Sequence, residues 1–150
     1  MKAVVQRVRE ASVTVDGAVV SSIGPGLLVL LGVAPDDGER EIAWMARKLP
    51  ALRVFADGAG LMNRSLVDAG GSLLVVSQFT LFGDCRKGNR PSFIGAAPPG
   101  QAEPCYLELV RQLRAVLGEA RVGCGVFGAE MHVRLLNDGP VTLLLESGFT

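Results

Sequence analysis

Ser77, Gln78 and Thr80 bring two hydroxyls and an amide into an otherwise apolar run, with Leu73-Leu74-Val75-Val76 before them and Leu81-Phe82 after. A polar group inside such a run costs free energy unless it finds a partner, so this cluster suits the floor of a pocket better than a core strand. A loop follows directly over residues 83–93, marked by glycines and a proline, and it carries Arg86, Lys87 and Arg90. Gly88 within it allows close backbone approach. A polar floor followed by a basic rim suits a reacting group attached to something anionic, because arginine pairs phosphate bidentately. The plainer reading of the three cations is a solvated loop.

Other chemistry is thinly supplied. His132 is the single histidine. In a strand over 131–136 it shares one face with Arg134, while Met131, Val133 and Leu135 share the other, so an exposed strand histidine is expected. A Ser–His–Asp triad therefore has no imidazole in the pocket. Cys85, Cys105 and Cys124 lie far apart without a CxxC, which suits neither a zinc site nor a disulfide framework and fits a reducing cytoplasm. No metal or other cofactor is implied. Asp36, Asp37, Glu39 and Glu41 read as solvated carboxylates favourable to a helix start.

Two options remain. Either Thr80 or Ser77 is a hydroxyl nucleophile without a visible base, or no side chain attacks at all. The second is sufficient for an already activated substrate such as an aminoacyl ester, if the backbone amides of Phe79 and Thr80 face the developing oxyanion. Hydroxyls simply bonded to nearby backbone are an equal reading of Ser77 and Thr80.

A second unusual stretch is Asn137-Asp138-Gly139-Pro140-Val141-Thr142. Its spacing reads as a hairpin turn. Pro140, however, removes a donor and restricts Gly139, which costs a sheet pairing unless the backbone there has another task.

The elements that must position these residues follow from periodicity. Residues 1–15 read as two short strands broken near 9–11, and Asp16-Gly17 as a tight turn. Strands are expected over 18–23, 27–33, 52–55, 73–76, 122–127, 131–136 and 141–146. One helix is expected over 36–50, capped by Asp36 or Asp37 with Ile42, Met45, Ala46 and Leu49 inward. A second is expected over 103–117, with Leu107, Val110, Leu113 and Leu117 inward and Gly118 as its stop. Residues 60–71 read as a loop with a helical turn. The sum is one α/β or α+β domain with a mixed, mainly antiparallel sheet.

The whole-chain numbers agree. The 150 residues are enough for one domain with a real core. Mean hydropathy is +0.35 and 49% of residues are hydrophobic, so a thick core or a covered apolar surface is expected, and a homodimer accounts for it. The formal charge is zero, so any nucleic-acid contact must be local. The start of the chain is too charged for a signal peptide, and no apolar run is long enough to span a bilayer.

These motifs resemble the D-aminoacyl-tRNA deacylases, from Met1 nearly to the end. The resemblance rests on Val5-Gln6-Arg7-Val8, Gly26-Leu27-Leu28-Val29, Met62-Asn63, Ser77-Gln78-Phe79-Thr80-Leu81, the run from Lys87 to Phe93, Phe127-Gly128-Ala129, and the run from Asn137 to Thr142. Leu61 and His132 depart from the pattern outside its two diagnostic motifs. The resemblance implies a three-layer α/β/β subunit in a homodimer that hydrolyses the ester between a D-amino acid and the terminal ribose of tRNA. It implies that Ser77, Gln78, Phe79 and Thr80 line the pocket. It further implies that a cis Gly139-Pro140 reaches the partner's pocket and excludes L side chains, with Arg7 holding the motif. Met131 is expected on the amino-acid side, and Arg86, Lys87 and Arg90 on the tRNA side. Glycyl-tRNA is an expected substrate. A binding module for the tRNA acceptor end and a deacylase of relaxed chirality are the alternatives.

Overall fold

The computed structural model describes residues 1–148. Its spine is β1, Lys2–Val15, a single strand of 14 residues. The expected break near 9–11 is instead a change of partner. The first half pairs antiparallel with β3, Gly26–Gly32, and the second half with β2, Ala18–Ile23. The inward residues are Ala3, Val5, Val8, Ala11 and Val13. Their spacing slips around the hand-over, where the ladder to the last strand also shifts register, and a slipped period looks like a break in sequence.

That last strand, β8, runs His132–Glu146 along the other edge of β1, from the pair Lys2–Glu146 to the pair Thr14–His132. The two strands expected on either side of 137–140 are thus one, and the hairpin reading fails because both halves pair with β1 rather than with each other. On the far side, β6, Ser72–Ser77, is parallel to β3, and β7, Val122–Cys124, is parallel to β6. The sheet is therefore mixed, and the strand expected over 122–127 is shorter than its apolar content suggested.

Two helices cover one face. Helix α1 spans Glu39–Ala51, and α3, Pro99–Leu117, lies beside it. Leu27, Val29, Leu31, Leu73 and Val75 pack there against Met45, Leu49, Leu109 and Leu113. On the opposite face Leu28, Leu74 and Val76 are covered by Val8, Ala11 and Val13, as β1 curls over with β2 and the first half of β8. A Cβ at Gly123 would fall 2.3 Å from Ser21 Oγ, so β2 lies directly on β7. The result is an α/β/β stack. Each fully buried leucine contributes on the order of 1.5–3 kcal/mol, so β6, buried on both faces from Leu73 to Val76, is a firmly anchored strand.

Several local expectations are corrected. Helix α1 is capped by Gly38, whose N–H is accepted by Glu41 at 2.9 Å, and not by Asp36 or Asp37. Asp37 is not solvated either: its side chain is 5% exposed, pairs with the Met1 ammonium at 2.5 Å and accepts the Ala34 N–H at 2.6 Å. Helix α3 begins at Pro99, and Leu107 lies outside its buried stripe at 52% exposure. Tyr106 and Leu109 take that place, because 106, 109, 110, 113 and 117 follow the helical period and 107 does not. The strand expected over 52–55 shrinks to β4, Phe55–Ala56, which pairs with β5, Met62–Arg64. Helix α2, Leu66–Ala69, supplies the helical turn expected after it. No helix among the described residues is long and apolar enough to cross a membrane.

Candidate active site

Strand β6 ends at Ser77, and the Gln78 N–H makes a last bond to β3 at Leu31 O, 2.7 Å away. The chain then enters a 3-10 turn, Phe79–Phe82. The turn can sit so close because Gly32 has no side chain: a Cβ there would lie 2.9 Å from the Phe82 ring and 3.1 Å from Gln78 O. Leu81 N–H returns to Gln78 O at 3.3 Å and Gly83 N–H to Thr80 O at 2.9 Å. The first amides of such a turn have no carbonyl within it to reach. Those of Phe79 and Thr80 bond to no main-chain acceptor among the described residues.

Beside this turn opens a cavity of about 590 Å³. Ser77, Gln78 and Phe79 line it, together with Tyr106, Phe127 and Met131. Phe79 is 56% exposed and meets the Phe93 ring edge-on at 5.1 Å between centroids. Gly125 makes room for Met131, since a Cβ there would fall 2.6 Å from the Met131 Sδ. Thr80 is beside the cavity but not among its lining residues. Its Oγ1 accepts a hydrogen bond from Gln78 Nε2 at 2.5 Å, and no base meets it among the described residues.

The lining was only half legible. Tyr106 was missed, although a tyrosine on an apolar helical stripe signals a polar tip that must find an acceptor. The Tyr106 hydroxyl donates to Val75 O at 2.9 Å, and burial pushes its pKa up, so it stays a donor.

The 137–142 stretch is a bulge. Between the pairs Gln6–Thr142 and Val8–Asn137, β1 has one residue, Arg7, where β8 has four, 138–141. Asn137 Nδ2 holds the neck of the bulge, donating to Arg7 O at 2.9 Å and to Val141 O at 3.1 Å. Arg7 holds its crown: Nε donates to Asp138 O at 2.9 Å and Nη1 to Val54 O at 2.5 Å. The Asp138 carboxylate lies 3.3 Å from Arg9 Nε. Gly139 has φ +138°, which favours glycine, and a Cβ there would also crowd Val141 Cγ2 at 2.9 Å and Arg7 Nη2 at 3.0 Å. The Gly139–Pro140 peptide bond is cis, and both residues are exposed. Neither Gly139, Pro140 nor Arg7 lines the cavity; Met131 does.

The basic rim is only partly available. Arg86 grips Asp84 with Nε at 2.9 and 3.0 Å and Nη2 at 2.6 Å, which holds the Asp84 carboxyl below its usual range. Lys87 and Arg90 are exposed on the same loop, which a two-way backbone bridge closes between Asp84 and Ser92. His132 is 82% exposed on β8, far from any catalytic pairing, and its nearest acid is Glu130 at 4.0 Å. Cys85, Cys105 and Cys124 are free thiols.

The family model described as D-Tyr-tRNA(Tyr) deacylase matches residues 4–146. A D-aminoacyl-tRNA deacylase of Myxococcus xanthus is 60% identical over 150 residues, covering 98% of this chain and 95% of its own. A solved structure titled c-Myc DNA Unwinding Element Binding Protein superposes with a TM-score of 0.94 at 47% identity, covering 99% of this chain and 100% of its own. A probable eukaryotic D-amino acid tRNA deacylase shares the fold, with a TM-score of 0.80 at 18% identity over 96% of this chain and 97% of its own.

Proposed function

We infer the reaction from one premise: this chain belongs to the D-Tyr-tRNA(Tyr) deacylase family. It is a hydrolase that acts on D-aminoacyl-tRNA, releasing the D-amino acid and free tRNA. The observation that carries the mechanism is the pair of Phe79 and Thr80 amides, without main-chain acceptors, at the start of a turn beside the cavity. The ester carbonyl sits on these amides. Water adds to its carbon, the negative charge on oxygen is held by the N–H groups, and the ribose oxygen leaves with a proton. Fixed donors aimed at the developing charge supply the main stabilisation. The neighbouring 2′-hydroxyl of the ribose assists the proton transfer. Thr80, tied to Gln78, shapes the site and does not attack.

Chirality is enforced by exclusion. In a homodimer, Gly139 and Pro140 of each subunit enter the cavity of the other and grip the α-amino group through carbonyls, beside Met131. Their exposure in a single subunit and their anchorage by Arg7 support this placement. So do the open edge of β8 and the apolar Leu144, 78% exposed upon it. A site that reads only the amino acid's backbone accepts many D side chains, and glycine as well. Lys87 and Arg90, with Arg86 behind its Asp84 partner, face the tRNA phosphates.

Deacylation of labelled D-tyrosyl-, L-tyrosyl- and glycyl-tRNA tests the reading. The D and glycyl esters are cleaved and the L ester persists. Protection of all three would make the chain an acceptor-end binder, and cleavage of both tyrosyl esters would make it a deacylase of relaxed chirality.

A further inference from the structure

Tyr106 is fully buried on α3, yet it carries a hydroxyl and lines the cavity. Its acceptor, Val75 O, takes a second donor, the Gly125 N–H at 3.0 Å. Both lone pairs of that carbonyl are thereby used. Val75 and Cys124 are also the last residues paired between β6 and β7. Beyond that last pair one chain continues to Ser77 and Gln78 and the other to Phe127 and Met131, and all four line the cavity. The Tyr106 ring packs against Phe127 at 5.9 Å between centroids. One side chain thus ties α3, β6 and the segment after β7 at the point where they diverge.

We propose that Tyr106 is a positioning residue for the deacylation: its hydroxyl pins the fork between β6 and residues 125–131, and so sets where the Phe79 and Thr80 amides stand relative to the Phe127 and Met131 side chains that line the same cavity. This rests on the reading that those amides polarise the ester. The fold does not depend on the bond, because Val75 O keeps its ladder donor when the hydroxyl is removed.

Tyr106→Phe is the test, beside Leu113→Val as a core lesion of the same helix away from the cavity. Tyr106→Phe lowers kcat on D-tyrosyl-tRNA about tenfold, as a small misplacement of catalytic donors does, and leaves KM within about twofold. Leu113→Val lowers Tm with kcat unchanged. Hydrogen exchange provides a readout independent of activity: the Gln78 and Gly125 amides exchange faster in Tyr106→Phe, while those of α1 do not. An unchanged kcat beside an active wild type overturns the proposal, and so does unchanged exchange at Gln78 and Gly125. A wild type that cleaves no D-aminoacyl ester sinks the reaction reading instead, and exchange still decides the pin.

Discussion

Arg7 and Asp138 face one another across the bulge, with Arg7 Nε donating to the Asp138 carbonyl at 2.9 Å. The same guanidinium reaches Val54 O through Nη1, so one planar group joins the bulge to the chain leading into β4. A fork with fixed geometry can serve two acceptors in different directions, which an ammonium on a flexible stem does poorly.

Arg7→Lys therefore keeps the charge and loses the brace. A hydrogen bond to a charged group is worth about 1.5–3 kcal/mol, so stability falls by an amount of that order. The larger effect is on selectivity: hydrolysis of L-tyrosyl-tRNA rises relative to D-tyrosyl-tRNA. Parallel time courses on the two esters measure it, and an unchanged ratio would remove Arg7 from the chiral device.

Thr80→Ala separates a main-chain mechanism from a threonine nucleophile. The variant keeps the Thr80 amide and loses only the hydroxyl that Gln78 holds. Single-turnover rates fall by no more than about 10²–10³, the scale of a lost oxyanion donor, whereas losing a nucleophile costs about 10⁶. Complete inactivity in a folded variant would assign attack to Thr80.

Asp84→Asn releases Arg86 from its two-oxygen grip. One more guanidinium then faces the substrate, so KM for aminoacyl-tRNA falls and the salt dependence of binding steepens by about one phosphate contact. A short aminoacyl-adenosine substrate, without the phosphates of the stem, shows no change. Equal KM shifts on both substrates would place the loop away from the tRNA backbone.

Glu108 gives a pH signature unrelated to the site. Hydrogen bonds from Arg111 and Gln112 lower its pKa to about 2 from the ordinary 4.5 of a glutamate. A folded pKa below the unfolded one means that its stabilisation is complete above about pH 4.5 and is lost as pH falls toward 2. Thermal melts of Glu108→Gln are accordingly less acid-sensitive across that window than those of the wild type. Both partners reach solvent, so the difference is small and shrinks with added salt.

How far the sequence could be read follows from which interactions are local. The buried run from Leu73 to Val76, the polar residues after it, the loop with Arg86, Lys87 and Arg90, and Gly118 as a helix stop are written in neighbouring residues. Composition and period are enough for such features, and the mixed sheet with two main helices was legible from them. The break assigned near Arg9 and the hairpin assigned at Gly139 failed for one shared reason. In both, β1 and β8 slip register against each other, and a register is a relation between chain segments more than a hundred residues apart.

By itself, the sequence determined the chemistry on offer: an amide and hydroxyls at the end of a buried strand, a basic loop after them, and no histidine beside them. Only the tertiary structure decided that Arg86 is already paired, that the Asp37 carboxylate meets an ammonium, and that Tyr106 stands at the fork between β6 and β7. Each of these depends on where a polar side chain finds its partner. The cost of leaving a buried polar group unpaired is paid wherever the fold brings an acceptor near, and sequence spacing does not encode that place.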